Sequence, residues 1–255
     1  MFLPKASKLL FSLLIVILIS TLISVNAMVK LKLQKDTEHF LFYCTKQDVS
    51  CLNDFSQILE ENYQRVCNDL GYFVKDKIKI KIYPDLQTFH NETKNPGAPD
   101  WFVGQAKNGE ILLTSPLNPG PAHDYRSLQK AIVHEFTHIV LYDINFPIPI
   151  WLNEGIASFE ADQMDENQRN YIAMKIKANH IPNIKDLETD WIGFAYRGGY
   201  EWSYTIVELG IHDYGREKVR EWVRNGGNIK TTFGINDDKF QEEWICFIKK
   251  NYIKN

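Results

Sequence analysis

The chain has 255 residues, 44% hydrophobic and 24% charged, with a formal net charge of −3 at pH 7. That balance fits one large or two small globular domains and excludes collagen-like, low-complexity and largely disordered chains. The weakly acidic sum argues against a nucleic-acid binder, which needs a basic face.

The N-terminus reads as a targeting segment. Lys5 and Lys8 precede an uncharged run from Leu9 to Val25, and Val25-Asn26-Ala27 offers small residues at cleavage positions. Residues 1–27 are therefore read as a signal peptide cut after Ala27. The alternative is an uncleaved membrane anchor through residues 9–25, at the lower edge of spanning length. Removing the segment takes away two lysines and no acid, moving the net charge to −5. In either reading the basic flank stays inside, so residues from 28 onward face outward and the expected location is extracellular or at the cell surface.

In chain order, His39 to Cys44 reads as a buried strand. Val49 to Leu70 reads as a helix, with Leu52, Phe55, Leu59, Tyr63, Val66 and Leu70 at helical spacing and Gly71 as its C-terminal cap. Lys77 to Tyr83 alternates isoleucine with lysine, a half-buried strand closed by Pro84. A short helix over Leu86 to Asn91 and a turn-rich loop from Asn95 to Trp101 follow. Glu110 to Thr114 is a third strand after the turn at Asn108-Gly109. From Ser127 the period becomes helical. Helices are expected over Ser127–Tyr142, Trp151–Gln163, Asn167–Asn179, Tyr200–Tyr214, Glu217–Arg224 and Asp238–Lys250. Strands first and helices second make an α+β chain. Residues 28–126 form an N-terminal α/β lobe and 127–255 a helical lobe, together one catalytic domain. Cys44, Cys51, Cys67 and Cys246 permit disulfides in an exported chain, in three pairings, with Cys44 and Cys51 close enough in sequence to bridge across a turn. The other reading is four buried thiols. No CxxC spacing exists, which argues against a cysteine metal site.

The chemistry sits at His134-Glu135-Phe136-Thr137-His138, an HExxH within a strongly helical stretch. Four residues advance a helix by about 400°, so the two imidazoles lie one turn apart on one face and can share a metal ion. Glu135 projects beside them, placed to take a proton from a bound water. A catalytic site of this type needs a third protein ligand and an open position. Glu154, twenty residues after His134, lies in the segment Trp151-Leu152-Asn153-Glu154-Gly155-Ile156-Ala157-Ser158-Phe159, beyond a turn containing Pro147 and Pro149. The small residues Gly155 and Ala157 suit close packing of that helix on the first. His90, His123, His180 and His212 stand alone and carry no site.

HEFTH followed by WLNEGIASF resembles the gluzincin metallopeptidases. WLNEG is very similar to the aminopeptidase N-like branch, and the wider layout is similar to the compact peptidase MA-like family. The resemblance implies a zincin-like fold with His134, His138 and Glu154 as Zn2+ ligands, Glu135 as general base and a peptide or protein as substrate. Tyr200-Glu201-Trp202-Ser203 is similar to a Y-E-x-G segment, which implies Tyr200 as oxyanion donor, with Tyr204 one turn on as its rival. The family lays substrate along an edge strand, here expected at Glu110, Ile111, Leu112, Leu113 and Thr114. The exopeptidase branch carries G-x-M-E-N there, whose glutamate holds the substrate amine. Gly109-Glu110-Ile111-Leu112-Leu113 departs from it, which argues for internal cleavage. Zincins with a third histidine six residues after the second are excluded by Ile144. The alternative is a zinc-bearing binding or sensor module on the same scaffold, without turnover.

Overall fold

The computed structural model describes residues 29–253, so the signal or anchor of residues 1–27 lies outside the described residues. None of the described helices is long and apolar enough to cross a membrane. Residues from Leu31 onward form one compact unit.

Strands β1 (Lys32–Asp36) and β2 (Phe40–Cys44) pair antiparallel. Strand β3 (Ile78–Tyr83) then lies parallel to β2. Parallel neighbours need a crossover, supplied by a 3-10 turn at Lys46–Cys51 and helix α1 (Leu52–Leu70). Gly71 ends α1 in the left-handed region at φ 68°, the cap its sequence position foretold. Helix α2 (Leu86–Glu92), strand β4 (Gly104–Lys107) and strand β5 (Glu110–Thr114) complete a sheet of order β1-β2-β3-β5-β4.

That order corrects one expectation. Strand 110–114 exists but is not an edge: β5 is hydrogen-bonded parallel to β3 on one side and antiparallel to β4 on the other. Its main chain has no free side to offer a substrate. Glu110 is also engaged, its carboxylate held by Lys81 and, at 3.6 Å, by Lys79. The edge is β4.

The apolar face of the sheet buries Phe40, Phe42, Ile78, Ile80, Ile82, Ile111 and Leu113 against α1 and helix α3 (Tyr125–Ile144). Phe136 of α3 packs between Phe40 and Tyr63, at 5.5 and 5.6 Å between ring centroids. The opposite face carries a smaller cluster of Tyr83, Phe89, Phe102 and Leu112. Helices α4 (Ile150–Glu160), α5 (Glu166–Lys177), α6 (Trp191–Tyr196) and α7 (Gly199–Leu209) follow, the last extended by one π-turn to Tyr214. Helices α8 (Arg216–Arg224), α9 (Ile229–Phe233) and α10 (Asp237–Tyr252) close the described chain around the buried rings of Trp202, Trp222 and Trp244. The α+β layout stands as read.

The cysteines are free thiols: Cys44, Cys51 and Cys67 are buried and Cys246 is exposed. Cys44 and Cys51 are not bridged, and the Cys51 thiol donates to the Asp48 carbonyl at 2.9 Å.

Candidate metal centre and active-site cleft

Helix α3 begins two residues before the expected Ser127. Asp124 is its cap and forms a capping box with Ser127, each side chain accepting from the other's main-chain N–H. Its buried residues run from Leu128 to Leu141 with His134 and His138 among them. The chain leaves α3 at Asn145 and re-enters a helix after Pro149, which places Glu154 one turn into α4.

The three expected ligands converge. His134 Nε2 lies 3.1 Å from Glu154 Oε2, His138 Nε2 lies 3.5 Å from the same oxygen, and the two Nε2 atoms are 3.0 Å apart. Bonds of about 2.0–2.2 Å to a tetrahedral zinc hold ligand atoms roughly 3.3–3.5 Å apart. The observed triangle, 3.0–3.5 Å on a side, is slightly tighter than that and opens to it with a small side-chain movement. The lone pairs also point the right way. The Nδ1 of His134 is 3.0 Å from Gln163 Oε1, and that of His138 is 3.2 Å from Asn153 Oδ1. Both oxygens are acceptors, so each Nδ1 carries the proton and each Nε2 offers its lone pair to the triangle. Three acceptor atoms facing one another in a buried pocket repel unless a proton or a metal cation sits among them. The donor set therefore fits the implied metal. Among the described residues no other group of histidine, cysteine and acid side chains is so arranged.

Without a cation in the triangle, Glu154 and His138 shift each other. Burial would raise the Glu154 carboxyl, yet His138 and His134 hold it well below the usual carboxylate range. Burial would lower the His138 imidazole, but the Glu154 charge beside it raises it to about 9. Glu135 is pushed up by burial, partly opposed by the two histidines.

Glu135 faces β4, the edge strand. A Cβ at Gly104 would sit 2.8 Å from Glu135 Oε1 and 3.0 Å from its Cγ, so only glycine admits the carboxylate there. Periodicity missed this strand, because Gly104-Gln105-Ala106-Lys107 has no apolar alternation. The outer position is held by Gly104–Lys107 and not by Glu110–Thr114.

Tyr200 lies at the N-terminal end of α7 and lines the same cleft, a cavity of about 1080 Å³ that also takes in His134, Glu135, His138 and Glu154. Its ring is 6.4 Å from that of His134. Burial, then the Glu154 charge, pushes its phenol well above the ordinary value. The rival Tyr204 also lines the cleft, one turn on along the same helix, and packs on Phe159 at 5.2 Å. Helix α4 lies against α3 and also carries α7 on its other side: a Cβ at Gly155 would meet the Ser203 carbonyl oxygen at 2.5 Å. The small residue expected to bring α4 to α3 instead brings in the tyrosine helix.

Sequence reasoning did not assign Gln163, the orienting partner of His134. It comes from the turn after α4, and nothing local marks it. Asn153 stood in view as the neighbour of Glu154. His123, read as solitary, also reaches the cleft, its Nε2 3.0 Å from the Trp101 carbonyl.

Comparison with known proteins gives one family: residues 60–250 match the model of the Peptidase MA superfamily. No curated protein matches in sequence. Two solved structures with a similar fold trace are a mutant two-domain M1 zinc metallopeptidase bound to L-arginine and an M1 zinc metallopeptidase from Deinococcus radiodurans. The first is 13% identical over 85% of this chain and 51% of that one, with a TM-score of 0.45. The second is 13% identical over 85% and 50%, with a TM-score of 0.43. The chain spans about half the length of these structures.

Proposed function

The chain belongs to the Peptidase MA superfamily, and from that premise we propose that it is a zinc-dependent metallopeptidase that cleaves within polypeptides. The observation that carries the reading is the triangle of His134, His138 and Glu154, with both Nδ1 atoms tied off and Glu135 beside it.

Zinc held there supplies a Lewis acid for the scissile carbonyl and a water of lowered pKa. Glu135, kept from solvent by Gly104 and the β4 main chain, takes the proton from the attacking water and passes it to the leaving amine. Tyr200 donates a hydrogen bond to the oxygen on which charge develops. The free edge of β4 gives an extended substrate main-chain partners alongside Glu135.

Internal cleavage is supported by Lys107. In the register Gly104-Gln105-Ala106-Lys107-Asn108, a lysine stands where the exopeptidase branch carries its amine-holding glutamate. A second cation does not hold a free N-terminus. The basic and apolar N-terminus supports action outside the cytoplasmic membrane, by secretion or anchoring through residues 9–25.

The test is incubation of the full chain with a mixed peptide library, with and without a zinc chelator. Internal cuts that cease on chelation, return with zinc and fall about 10³-fold in Glu135→Gln are expected. Bound zinc without any cut would leave the non-catalytic binding module in its place. Single residues released from free N-termini would make it an aminopeptidase.

A further inference from the structure

Helix α6 is only six residues long, and its first residue, Trp191, reaches into the cleft wall. The Trp191 Nε1–H donates to the Tyr200 hydroxyl at 3.1 Å. An indole N–H can only donate, so in this pair the phenol oxygen is the acceptor. Its own proton is then turned away from Trp191. Among the described residues the Tyr200 hydroxyl has no other hydrogen-bond partner, and the charges it feels are those of Glu154, Glu135 and Glu201. The proton is left for a group entering the cleft.

The indole is itself held. Its ring packs on Trp101 at 4.6 Å and edge-on to Phe102 at 4.9 Å. Both belong to the segment that leads into β4. On the far side, Phe194 meets the Tyr200 ring edge-on at 5.1 Å, and Gly199 leaves no room for a side chain against Phe194. Tyr200 is thus fixed by ring contacts and its hydroxyl by one donor of settled polarity.

We propose that Trp191 is a positioning residue for the reaction, its N–H fixing the direction in which Tyr200 donates its proton. The proposal rests on the reading of Tyr200 as oxyanion donor. It accounts for a tryptophan at the cleft that has no charge and no metal contact. An acceptor in that place would take the phenol proton for itself, and a donor releases it for the substrate. The benefit arises only as negative charge develops on the carbonyl oxygen, so removing the N–H acts on turnover and not on substrate capture.

The experiment uses the full zinc-loaded chain, the library peptide cleaved fastest, and that peptide's phosphinic analogue, in which a tetrahedral anion replaces the scissile amide. Tyr200→Phe is measured first. A drop in kcat of about 10²-fold upholds the oxyanion role, and full activity overturns that reading and this proposal with it. Trp191→Phe is then expected to lower kcat about tenfold, to leave KM within about twofold, and to weaken the phosphinic analogue about tenfold by calorimetry. In the Tyr200→Phe background it is expected to do nothing further. A benzothienylalanine at position 191 keeps the shape and lacks the N–H. It is expected to reproduce the Phe variant, which separates the hydrogen bond from packing even if the smaller ring disturbs the fold. Unchanged kcat with benzothienylalanine, or an equal loss from Trp191→Phe with and without the Tyr200 hydroxyl, would overturn the proposal while leaving Tyr200 its role.

Discussion

Glu135 follows His134 directly, but what fixes its carboxylate is a residue thirty-one positions earlier. Gly104 brings the β4 main chain against the Glu135 side chain, and a methyl there would fall 2.8 Å from Oε1. The atom met is the end of a flexible side chain, so the side chain yields before the strand does. Gly104→Ala is therefore expected to change stability by less than about 1 kcal/mol and to lower kcat tenfold or more, since a small displacement of the proposed general base is costly. Full activity in that variant, with zinc bound, would separate Glu135 from the strand. The histidines depend in the same way on oxygens behind them. Replacing Asn153 or Gln163 by alanine frees one imidazole to rotate or change tautomer, and each is expected to weaken zinc 10–100-fold in chelator competition. Unchanged affinity would show that packing alone orients the rings. At this scale the convergence of the three side chains was legible, because helical spacing puts His134 and His138 on one face and Glu154 follows the proline turn. Gln163 was not, because its role comes from where the end of α4 lies in space.

Elements with strong periodicity were legible, and those defined by their neighbours were not. The isoleucines of β3 and the apolar stripe of α1 announce themselves. Strand β4 has no such stripe; pairing with β5 and contact with α3 make it a strand, which is why the edge strand was expected one strand too far inward. Helices α6 and α9, of six and five residues, are likewise set by what they pack on. The joint between sheet and α1 has a side chain that reports on it. Glu60 accepts the His39 main-chain N–H at 2.9 Å and lies 2.6 Å from its Nδ1, tying β2 to α1. Burial raises the Glu60 carboxyl, but the bonds from His39 and Thr37 outweigh it, so its folded pKa is lowered. The stabilisation is then complete above the unfolded value and is lost as pH falls through the folded one. Glu60→Gln is expected to cost about 1–2 kcal/mol in urea unfolding at pH 7, and the difference is expected to shrink toward pH 3. A cost independent of pH would mean that shape, not charge, makes the joint.

Over the whole molecule the strand-rich and helix-rich halves share one core and are joined by ion pairs around Glu160. This nearly buried carboxylate at the end of α4 is held by Arg65 of α1 and, at 3.4 Å, by Arg216 of α8, which also reaches Asp69 at 2.8 Å. The helix that carries Glu154 is thereby anchored to the half that carries the sheet. His134, His138 and Glu154 come from α3 and α4, Glu135 lies against β4, and Tyr200 comes from α7. The account therefore stands on those parts meeting around one cation. Titration of the full metal-free chain with zinc, beside its Glu154→Gln variant, tests this most directly. The account predicts one tight site per chain and a loss of affinity of about 10²-fold or more in the variant. Absence of zinc binding, or equal affinity in the two proteins, would contradict it.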